Sequence, residues 1–292
     1  MTAVLATPDL LVDHLDVSAE ARPTLVPDLR RHAWYPSSPC GTHCRGAECP
    51  DTATVLLVAV RMVRLATAVL SFLVVGTVVS MLPRPLRRRY LRRSAQRVLI
   101  ALGIRLEIDD HRPHIGEARG LIVANHISYL DILAVATVSP AQFVAKSDVA
   151  AMPVISSLAR RLGVITIERE SLRTLPATVD AAVDALHHDN SVAVFPEGTT
   201  WCGAEGGRFR PAFFQAAIDA HVPVLPVRLD FQTSTGATTA EPSFIGDDTP
   251  VETLLRVLRM RGLTMRIRVH ELQLPGSDRR ALAARCEQLI AA

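Results

Sequence analysis

The sequence predicts an α/β fold, with a mostly parallel sheet flanked by helices and a membrane-associated helical segment before it. Three observations lead to this prediction. Short apolar runs alternate with helical stretches after residue 120, an uncharged run of 18 residues lies nearer the amino end, and hydrophobic residues make up 49% of the chain against 21% charged. Such a composition excludes a chain that is disordered throughout. The 292 residues fit one large domain or two small ones.

Charge and cysteine content exclude several classes of protein. The chain holds 32 Lys and Arg residues against 29 Asp and Glu, and the net charge of +3 predicts no nucleic-acid partner. Lys146 is the single lysine, so almost every cation is an arginine. Five cysteines are too few for a disulfide scaffold, and the first residues do not have the pattern of a cleaved signal peptide.

Residues 1–52 are predicted to form a poorly structured leader, because prolines are scattered through them and apolar periodicity is weak. Within the leader, Cys40, His43, Cys44 and Cys49 lie inside ten residues. Thiols and an imidazole this close together could bind zinc, but the spacing matches no paired C-x-x-C site. We therefore expect a reduced loop without metal and keep a zinc site as the alternative.

Residues 53–104 are predicted to form a membrane-associated helix and a basic juxtamembrane helix. Leu65–Leu82 carries no charge, and at ~1.5 Å per residue a helix of this length is about 27 Å long, close to the thickness of a bilayer core. A buried core helix is the alternative. A spanning helix and a segment that bends near Gly76 and returns both remain open.

Seven arginines follow this run and predict its orientation. By the positive-inside rule, the chain after Leu82 faces the cytoplasm, so the protein is expected at the cell membrane with its main domain on the cytoplasmic side. The same arginines suit anionic lipid head groups. They are Arg84, Arg87, Arg88, Arg89, Arg92, Arg93 and Arg97.

Residues 105–292 are predicted to form the α/β domain, because apolar strands between helical stretches are typical of a parallel sheet. Strands are expected at 121–124, 142–145, 164–167, 191–195, 222–229 and 265–272, and helices at 129–138, 149–162, 172–187, 212–220 and 279–291. No internal repeat is visible.

Polar clusters follow two of these strands. Asn125–Asp131 comes after the strand 121–124, and Phe195–Thr200 comes at the end of the strand 191–195. Ligands of open α/β sheets bind beyond the carboxyl ends of strands, so both clusters lie where a site is expected.

His126 and Asp131 are the candidate reactive pair. Five residues apart on a regular helix they would face different ways, so they meet only if His126 lies in the turn before the helix. A carboxylate in that place fixes the imidazole tautomer and prepares the histidine to take a proton from a hydroxyl. The alternative is that Ser128 caps the helix and Asp131 only complements its dipole.

The first cluster, Asn125-His126-x4-Asp131, resembles the NHx4D signature of the glycerolipid acyltransferases, the group that contains 1-acylglycerol-3-phosphate acyltransferase. Three later segments resemble that family's further blocks in the family's order, over about residues 90 to 275. They are Gly163–Arg169, Phe195–Thr199 and Val222–Val227, and Phe143–Lys146 followed by Pro153 also fits between the first two blocks.

The resemblance implies a mechanism. His126 would deprotonate a lipid hydroxyl, Asp131 would orient it, and the alkoxide would attack the thioester of acyl-CoA or acyl carrier protein directly. The chain has no G-x-S-x-G elbow and neither Cys202 nor Cys286 lies in a nucleophile motif, in keeping with a reaction that has no acyl-enzyme. No metal and no cofactor besides the acyl donor is expected.

The resemblance also implies an acceptor site. Lys146 and Arg169 would hold the acceptor's phosphate, and Asn125 would support the motif. The acceptor site itself would be shaped by Glu197, Gly198 and Thr199, with Pro223 and Pro226 as its apolar wall.

Thr200 departs from the family pattern, because members that use phosphatidate precursors often have an arginine after Glu-Gly-Thr. Arg208 and Arg210 could supply the missing charge, with solvated surface arginines as the alternative. The segment Phe209–Ala217 also resembles the branch that acylates lyso-ornithine lipids, whose acceptors need less phosphate recognition.

The expected function is that of a membrane-bound O-acyltransferase of phospholipid biosynthesis. Its expected partners are membrane lipid, a lysolipid acceptor and acyl-CoA or acyl carrier protein, and 1-acylglycerol-3-phosphate is the favoured acceptor. The alternatives are another lysolipid such as lyso-ornithine lipid, a thioesterase in which His126 activates water, and a membrane-anchored lipid-binding protein without catalysis.

Overall fold

A computed structural model of the chain describes residues 35–46, 52–79, 81–112, 119–147, 159–160, 162–168, 171–188 and 190–292. Most of the predicted leader, Cys49, Arg169 and most of the predicted helix 149–162 lie outside these residues.

The described helices and strands follow the predicted alternation. The helices are α1 (Val55–Val79), α2 (Arg84–Ala101), α3 (Asp131–Val138), α4 (Leu175–His187), α5 (Phe214–Asp219), α6 (Pro250–Arg259) and α7 (Arg279–Ala291). The strands are β1 (Arg105–Asp110), β2 (Leu121–Ala124), β3 (Gln142–Lys146), β4 (Ile165–Ile167), β5 (Val192–Val194), β6 (Val224–Gln232) and β7 (Thr264–Val269).

Among the described residues these strands form one seven-stranded sheet in the order β1-β7-β6-β2-β5-β3-β4. Neighbouring strands are parallel except β6 and β7, which are antiparallel. The predicted α/β fold with a mostly parallel sheet is therefore confirmed. The carboxyl ends of β2, β5, β3 and β4 lie side by side at one edge of this sheet, as a candidate site requires.

Helices cover both faces of the sheet, which explains why its central strands are apolar throughout. Strand β2 is buried along its whole length and alternates between two cores. Ile122 and Ala124 join the core under α2, α3 and α6, whereas Leu121 and Val123 join the core under α4, α5 and α7.

The helices α1 and α2 form an antiparallel hairpin. The Tyr90 hydroxyl lies 3.3 and 3.2 Å from the carbonyl oxygens of Ser71 and Phe72, and the Phe72 and Tyr90 rings stack. Helix α1 is continuous through Gly76, and the chain turns back only after Val79.

The helix α1 begins ten residues before the predicted uncharged run and therefore contains Arg61 and Arg64. Arg61 is 7% exposed because its guanidinium reaches the end of α6, where Nη1 donates to the carbonyl oxygens of Leu258 at 2.7 Å and Met260 at 2.6 Å. This arginine faces the domain, so it joins the hairpin to the end of α6. Among the described helices α1 alone is long and apolar enough to cross a membrane.

Two elements were missed because they lack continuous apolar runs. The edge strand β1 reads Arg-Leu-Glu-Ile-Asp-Asp and exposes much of its surface. Helix α6 is amphipathic and begins with a capping box, in which the Thr249 hydroxyl accepts from the Glu252 N–H and the Glu252 carboxylate accepts from the Thr249 N–H. The sequence Thr-Pro-Val-Glu is a readable signal for that helix start.

Candidate active site

The pair His126 and Asp131 meets in the structure as the turn geometry predicted. His126 lies in the turn after β2, Asp131 is the first residue of α3, and the Nδ1 atom of His126 lies 2.9 Å from Oδ2 of Asp131. The same carboxylate oxygen accepts the N–H groups of Ile127 at 2.6 Å and Ser128 at 2.8 Å. Because a carboxylate only accepts, Nδ1 carries the proton and Nε2 is left as the basic atom.

This arrangement differs from the simple capping alternative. Ser128 makes no side-chain cap, and its buried Oγ has no hydrogen-bond partner among the described residues. Asp131 is fully buried, whereas the His126 side chain keeps 16% exposure. The imidazole therefore reaches the surface at the sheet edge while its partner is shielded from water.

Glu197 links the two polar clusters. Its Oε2 accepts the N–H of His126 at 2.7 Å, and its Oε1 accepts the N–H of Gly207 at 3.0 Å. The residue is 5% exposed, and this burial raises the pKa of Glu197 to about 8, although the two N–H groups act in the opposite direction. Glu197 therefore holds the backbone of His126 directly, a contact that the sequence did not predict. The predicted role of Glu197 in the acceptor site stays a prediction.

An aromatic ring covers one face of the imidazole, and a main-chain hydrogen bond holds the backbone of the same residue. The Phe195 ring stacks on the His126 ring with 4.1 Å between centroids. The main-chain N–H of Trp201 donates to the His126 carbonyl oxygen at 2.7 Å. Phe195 in turn stacks on Phe143 of β3. The only sequence signal for these contacts is that Phe195 stands where the predicted strand 191–195 meets the second cluster.

Asn125 extends the β2–β6 ladder by one residue. Its side-chain oxygen accepts the Leu229 N–H at 2.8 Å, and its amide donates to the Leu229 carbonyl oxygen at 2.9 Å. The side chain thus copies the hydrogen bonds of a strand residue and frees the main chain to turn at His126.

Gly198 lies where the leader crosses the second cluster. Its φ of +78° favours glycine, and a Cβ atom there would come within 2.9 Å of the Cβ of Pro36. The Nε atom of Arg210 would lie 3.5 Å from the same Cβ, so this predicted cation does stand beside the cluster. Thr199 is half-buried, and the Thr200 hydroxyl donates to the Phe244 carbonyl oxygen.

Of the two residues predicted to bind the acceptor phosphate, only Lys146 lies within the described part of the chain. Lys146 ends β3, pairs with Ile167 of β4 and is partly buried at the same sheet edge as His126. Arg169, two residues after β4, lies outside the described residues. Their role at the acceptor stays a prediction.

The two predicted wall prolines lie at different heights in the sheet. Pro226 pairs with Val123 inside the sheet. The Pro223 carbonyl oxygen accepts the Leu121 N–H, which places Pro223 at the start of β2 and a strand length away from His126. The role of an apolar wall stays a prediction for both.

Comparisons with known proteins agree with this fold. Residues 103–230 match the family model described as Acyltransferase. The chain is 36% identical over 182 residues to the 1-acyl-sn-glycerol-3-phosphate acyltransferase of Neisseria meningitidis serogroup B, covering 62% of this chain and 70% of that protein. It is 31% identical over 207 residues to the lyso-ornithine lipid O-acyltransferase of Pseudomonas aeruginosa, covering 70% and 78%.

A solved structure has the same fold. The crystal structure of the 1-acyl-sn-glycerophosphate acyltransferase PlsC from Thermotoga maritima superposes with a TM-score of 0.60 at 19% identity, covering 81% of this chain and 92% of that one. Fold, motif geometry and relatives together define an acyl-transferring enzyme. The chain belongs to the acyltransferase family, as the four motif blocks predicted.

Proposed function

We propose that this enzyme transfers a fatty acyl group from acyl-CoA or acyl carrier protein to the free hydroxyl of a lysolipid, with 1-acylglycerol-3-phosphate as the favoured acceptor and phosphatidate as its product. The observation that carries the proposal is the 2.9 Å contact from His126 Nδ1 to Asp131, which leaves Nε2 basic at the exposed rim of the sheet edge. The relatives named above act on acceptors of this class.

In the proposed reaction the lysolipid hydroxyl gives its proton to His126 Nε2 as its oxygen attacks the thioester carbonyl carbon. The new C–O bond forms, the C–S bond breaks, and the imidazolium returns the proton to the leaving thiolate. Asp131 stabilises the imidazolium and holds the ring, while Glu197 holds the main chain beneath it.

One described cation at this sheet edge supports a phosphate-bearing acceptor. Lys146 lies at the end of β3, and in the sequence Arg169 follows the last residue of β4 by two positions. A guanidinium can bind phosphate through two parallel hydrogen bonds, and Arg210 adds charge beside Gly198.

Lyso-ornithine lipid is the second candidate acceptor, and Thr200 is the observation that favours it. A threonine whose hydroxyl donates to the Phe244 carbonyl oxygen replaces a cation at this position. Such a site suits an acceptor that needs less phosphate recognition.

One assay separates these functions. The full chain in detergent micelles is given labelled acyl-CoA or labelled acyl carrier protein together with lysophosphatidate, lysophosphatidylethanolamine or lyso-ornithine lipid, and the product is identified by mass. Phosphatidate as the fastest product supports the favoured acceptor, whereas faster acylation of lyso-ornithine lipid selects the second candidate. Release of the CoA thiol without any lysolipid would point to a thioesterase, and no turnover with any acceptor or donor would contradict the proposal.

The hairpin supports attachment to the membrane surface. The outer face of α1 exposes apolar side chains, among them Leu70 and Val74, each 61% exposed. Arg61, near the amino end of α1, and Leu99, near the carboxyl end of α2, attach the hairpin to the domain. Between these two attachments the basic helix α2 lies alongside α1. We infer that the hairpin lies along the bilayer interface, with the α1 face among acyl chains and the α2 arginines at anionic head groups.

Vesicle flotation tests this attachment. We expect Leu70→Asp with Val74→Asp to lower the partition of the protein onto phosphatidylglycerol vesicles by at least about tenfold, because burying one such side chain is worth ~1.5–3 kcal/mol. Leu274→Asp is the matched control, since Leu274 is an exposed apolar residue outside the hairpin. A cysteine placed near Arg279 should resist an impermeant thiol reagent applied to intact cells, and labelling from outside would contradict the cytoplasmic orientation.

A further inference from the structure

Three cysteines from two distant parts of the chain meet beside the active site. Cys40 and Cys44 belong to the leader, Cys202 follows the second polar cluster, and their three Sγ atoms all lie within 4.8 Å of one another. Cys40 and Cys202 are buried at 6% and 3% exposure, and Cys44 is partly buried. They pack with Ile245 in a small apolar cluster of their own.

Two main-chain N–H groups, those of Ala204 and Glu205, point at the Cys202 sulfur. Outer hydrogen bonds of this kind orient the ligands of metal sites.

We propose that Cys40, Cys44 and Cys202 bind a zinc ion that fastens the leader onto the acyltransferase domain. A zinc–sulfur bond of about 2.3 Å and tetrahedral angles place ligand sulfurs roughly 3.8 Å apart, so closure needs shifts of about 1 Å. This revises the sequence-based expectation of a loop without metal. Of the four leader residues considered there, His43 is exposed and not part of the three-sulfur group, and Cys49 lies outside the described residues.

A zinc ion suits this cluster better than a disulfide. Three sulfurs converge, and a disulfide would leave the third thiol buried without a covalent partner. Soft thiolate donors favour zinc among the common divalent ions, and three thiolates with one further ligand form a usual structural site.

The ion would hold the leader where it touches catalytic elements. The main-chain N–H of Trp201, the residue directly before Cys202, donates to the His126 carbonyl oxygen. Pro36 packs against Gly198, and Arg45 forms an ion pair with Asp248. The leader therefore crosses the second cluster and is fixed on both sides of it, with the metal between these two contacts.

Metal analysis of the full chain tests the site. The protein is purified in detergent without chelators, and its zinc content is measured by inductively coupled plasma mass spectrometry. We expect one zinc ion per chain in the wild type and in the control variant Cys286→Ser. Cys286 is the matched control because it is a buried cysteine of α7, in the core under α4, α5 and α7 and outside the three-sulfur group. Cys40→Ser, Cys44→Ser and Cys202→Ser should each lose the ion.

The leader variants keep the test decisive if Cys202→Ser does not fold, because Cys40 and Cys44 lie outside both main cores. A second readout is proteolysis: after removal of zinc with a strong chelator, trypsin should cut after Arg45 faster than in the zinc-loaded protein. A wild type that is metal-free and takes up no added Zn²⁺ after reduction would overturn the proposal. So would a disulfide between two of the three cysteines in the absence of metal, or zinc retained in all three serine variants.

Discussion

The sheet edge around His126 and the hairpin α1–α2 are organised by opposite means. At the edge, one imidazole is held by a buried carboxylate, a second carboxylate on its main chain and a stacked phenyl ring. The hairpin exposes apolar side chains over much of α1 and is joined to the domain by the buried Arg61 and the last turn of α2. Polar groups are thus concentrated where chemistry needs fixed geometry, and apolar surface is left where a bilayer can cover it.

This difference implies that the two regions fail in different ways when altered. A change at the edge should alter turnover with little effect on membrane binding. A change in the hairpin should alter stability or partition and leave the chemistry of bound substrate intact.

The largest expected effect is that of His126→Ala. Loss of the proton acceptor should lower kcat by about 100- to 10,000-fold, the usual range for a general base. The variant should unfold at nearly the wild-type urea concentration and bind vesicles as the wild type does. His188→Ala is the control, an exposed histidine at the end of α4, and it should keep full activity.

Activity of folded His126→Ala within threefold of the wild type would exclude His126 as the base. It would also remove the functional contrast between the edge and the hairpin.

Arg61→Ala addresses the hairpin. The change leaves the carbonyl oxygens of Leu258 and Met260 without their charged donor, and hydrogen bonds to charged groups are worth about 1.5–3 kcal/mol each. We expect the free energy of unfolding to fall by about 3 kcal/mol, measured by urea unfolding in detergent. Arg64→Ala, one helical turn away and exposed, should leave the unfolding midpoint unchanged.

Equal midpoints for the Arg61 and Arg64 variants would show that the buried guanidinium does not join the hairpin to the domain. The hairpin would then be held by apolar packing alone.

Acceptor recognition should show a smaller, selective effect. If Lys146 and Arg169 hold the acceptor phosphate, Lys146→Ala and Arg169→Lys should each raise the KM for lysophosphatidate at least about tenfold, or 1.4 kcal/mol. The KM for the acyl donor should change much less. A rise in the KM for the acyl donor instead would mean that these cations bind the phosphates of CoA. If neither KM changes, the acceptor that needs less phosphate recognition, lyso-ornithine lipid, becomes the favoured one.

Sequence alone predicted much of the fold, because its central strands are buried on both faces and read as unbroken apolar runs. It missed β1, whose exposed face carries charges, and α6, whose signal is a capping box and not apolar content. In the site, the spacing of His126 and Asp131 was enough to predict a contact across a turn.

Other contacts at the site could not be predicted, because they join segments that are far apart in sequence. The Glu197 carboxylate binds a main-chain N–H 71 residues away, and a main-chain donor has no signature in the residue that carries it. The approach of Cys202 to Cys40 and Cys44 depends on the same long-range folding, so the leader cysteines alone matched no metal pattern.

A pH-dependent effect on stability is expected at Glu197. Burial raises the pKa of Glu197 to about 8 in the folded chain from a usual value of 4.5, so the folded state holds a proton that the unfolded state has lost. The stability that this proton brings is fully present below about pH 4.5 and is lost as pH rises through 8. Between about pH 5 and pH 8 the free energy of unfolding should fall by up to ~1.4 kcal/mol per pH unit from this group.

Glu197→Gln isolates that contribution. The glutamine cannot ionise. Its NH2 group must face one of the two main-chain N–H groups, that of His126 or that of Gly207, and it cannot accept the hydrogen bond. The loss of this hydrogen bond costs about 1–3 kcal/mol and does not depend on pH. Urea unfolding of both proteins at pH 5, 6, 7 and 8 should therefore give a difference that moves in favour of the variant as pH rises. Two parallel curves would mean that Glu197 is already ionised in the folded chain at pH 5, and the edge would then hold two buried carboxylates as anions, Glu197 and Asp131.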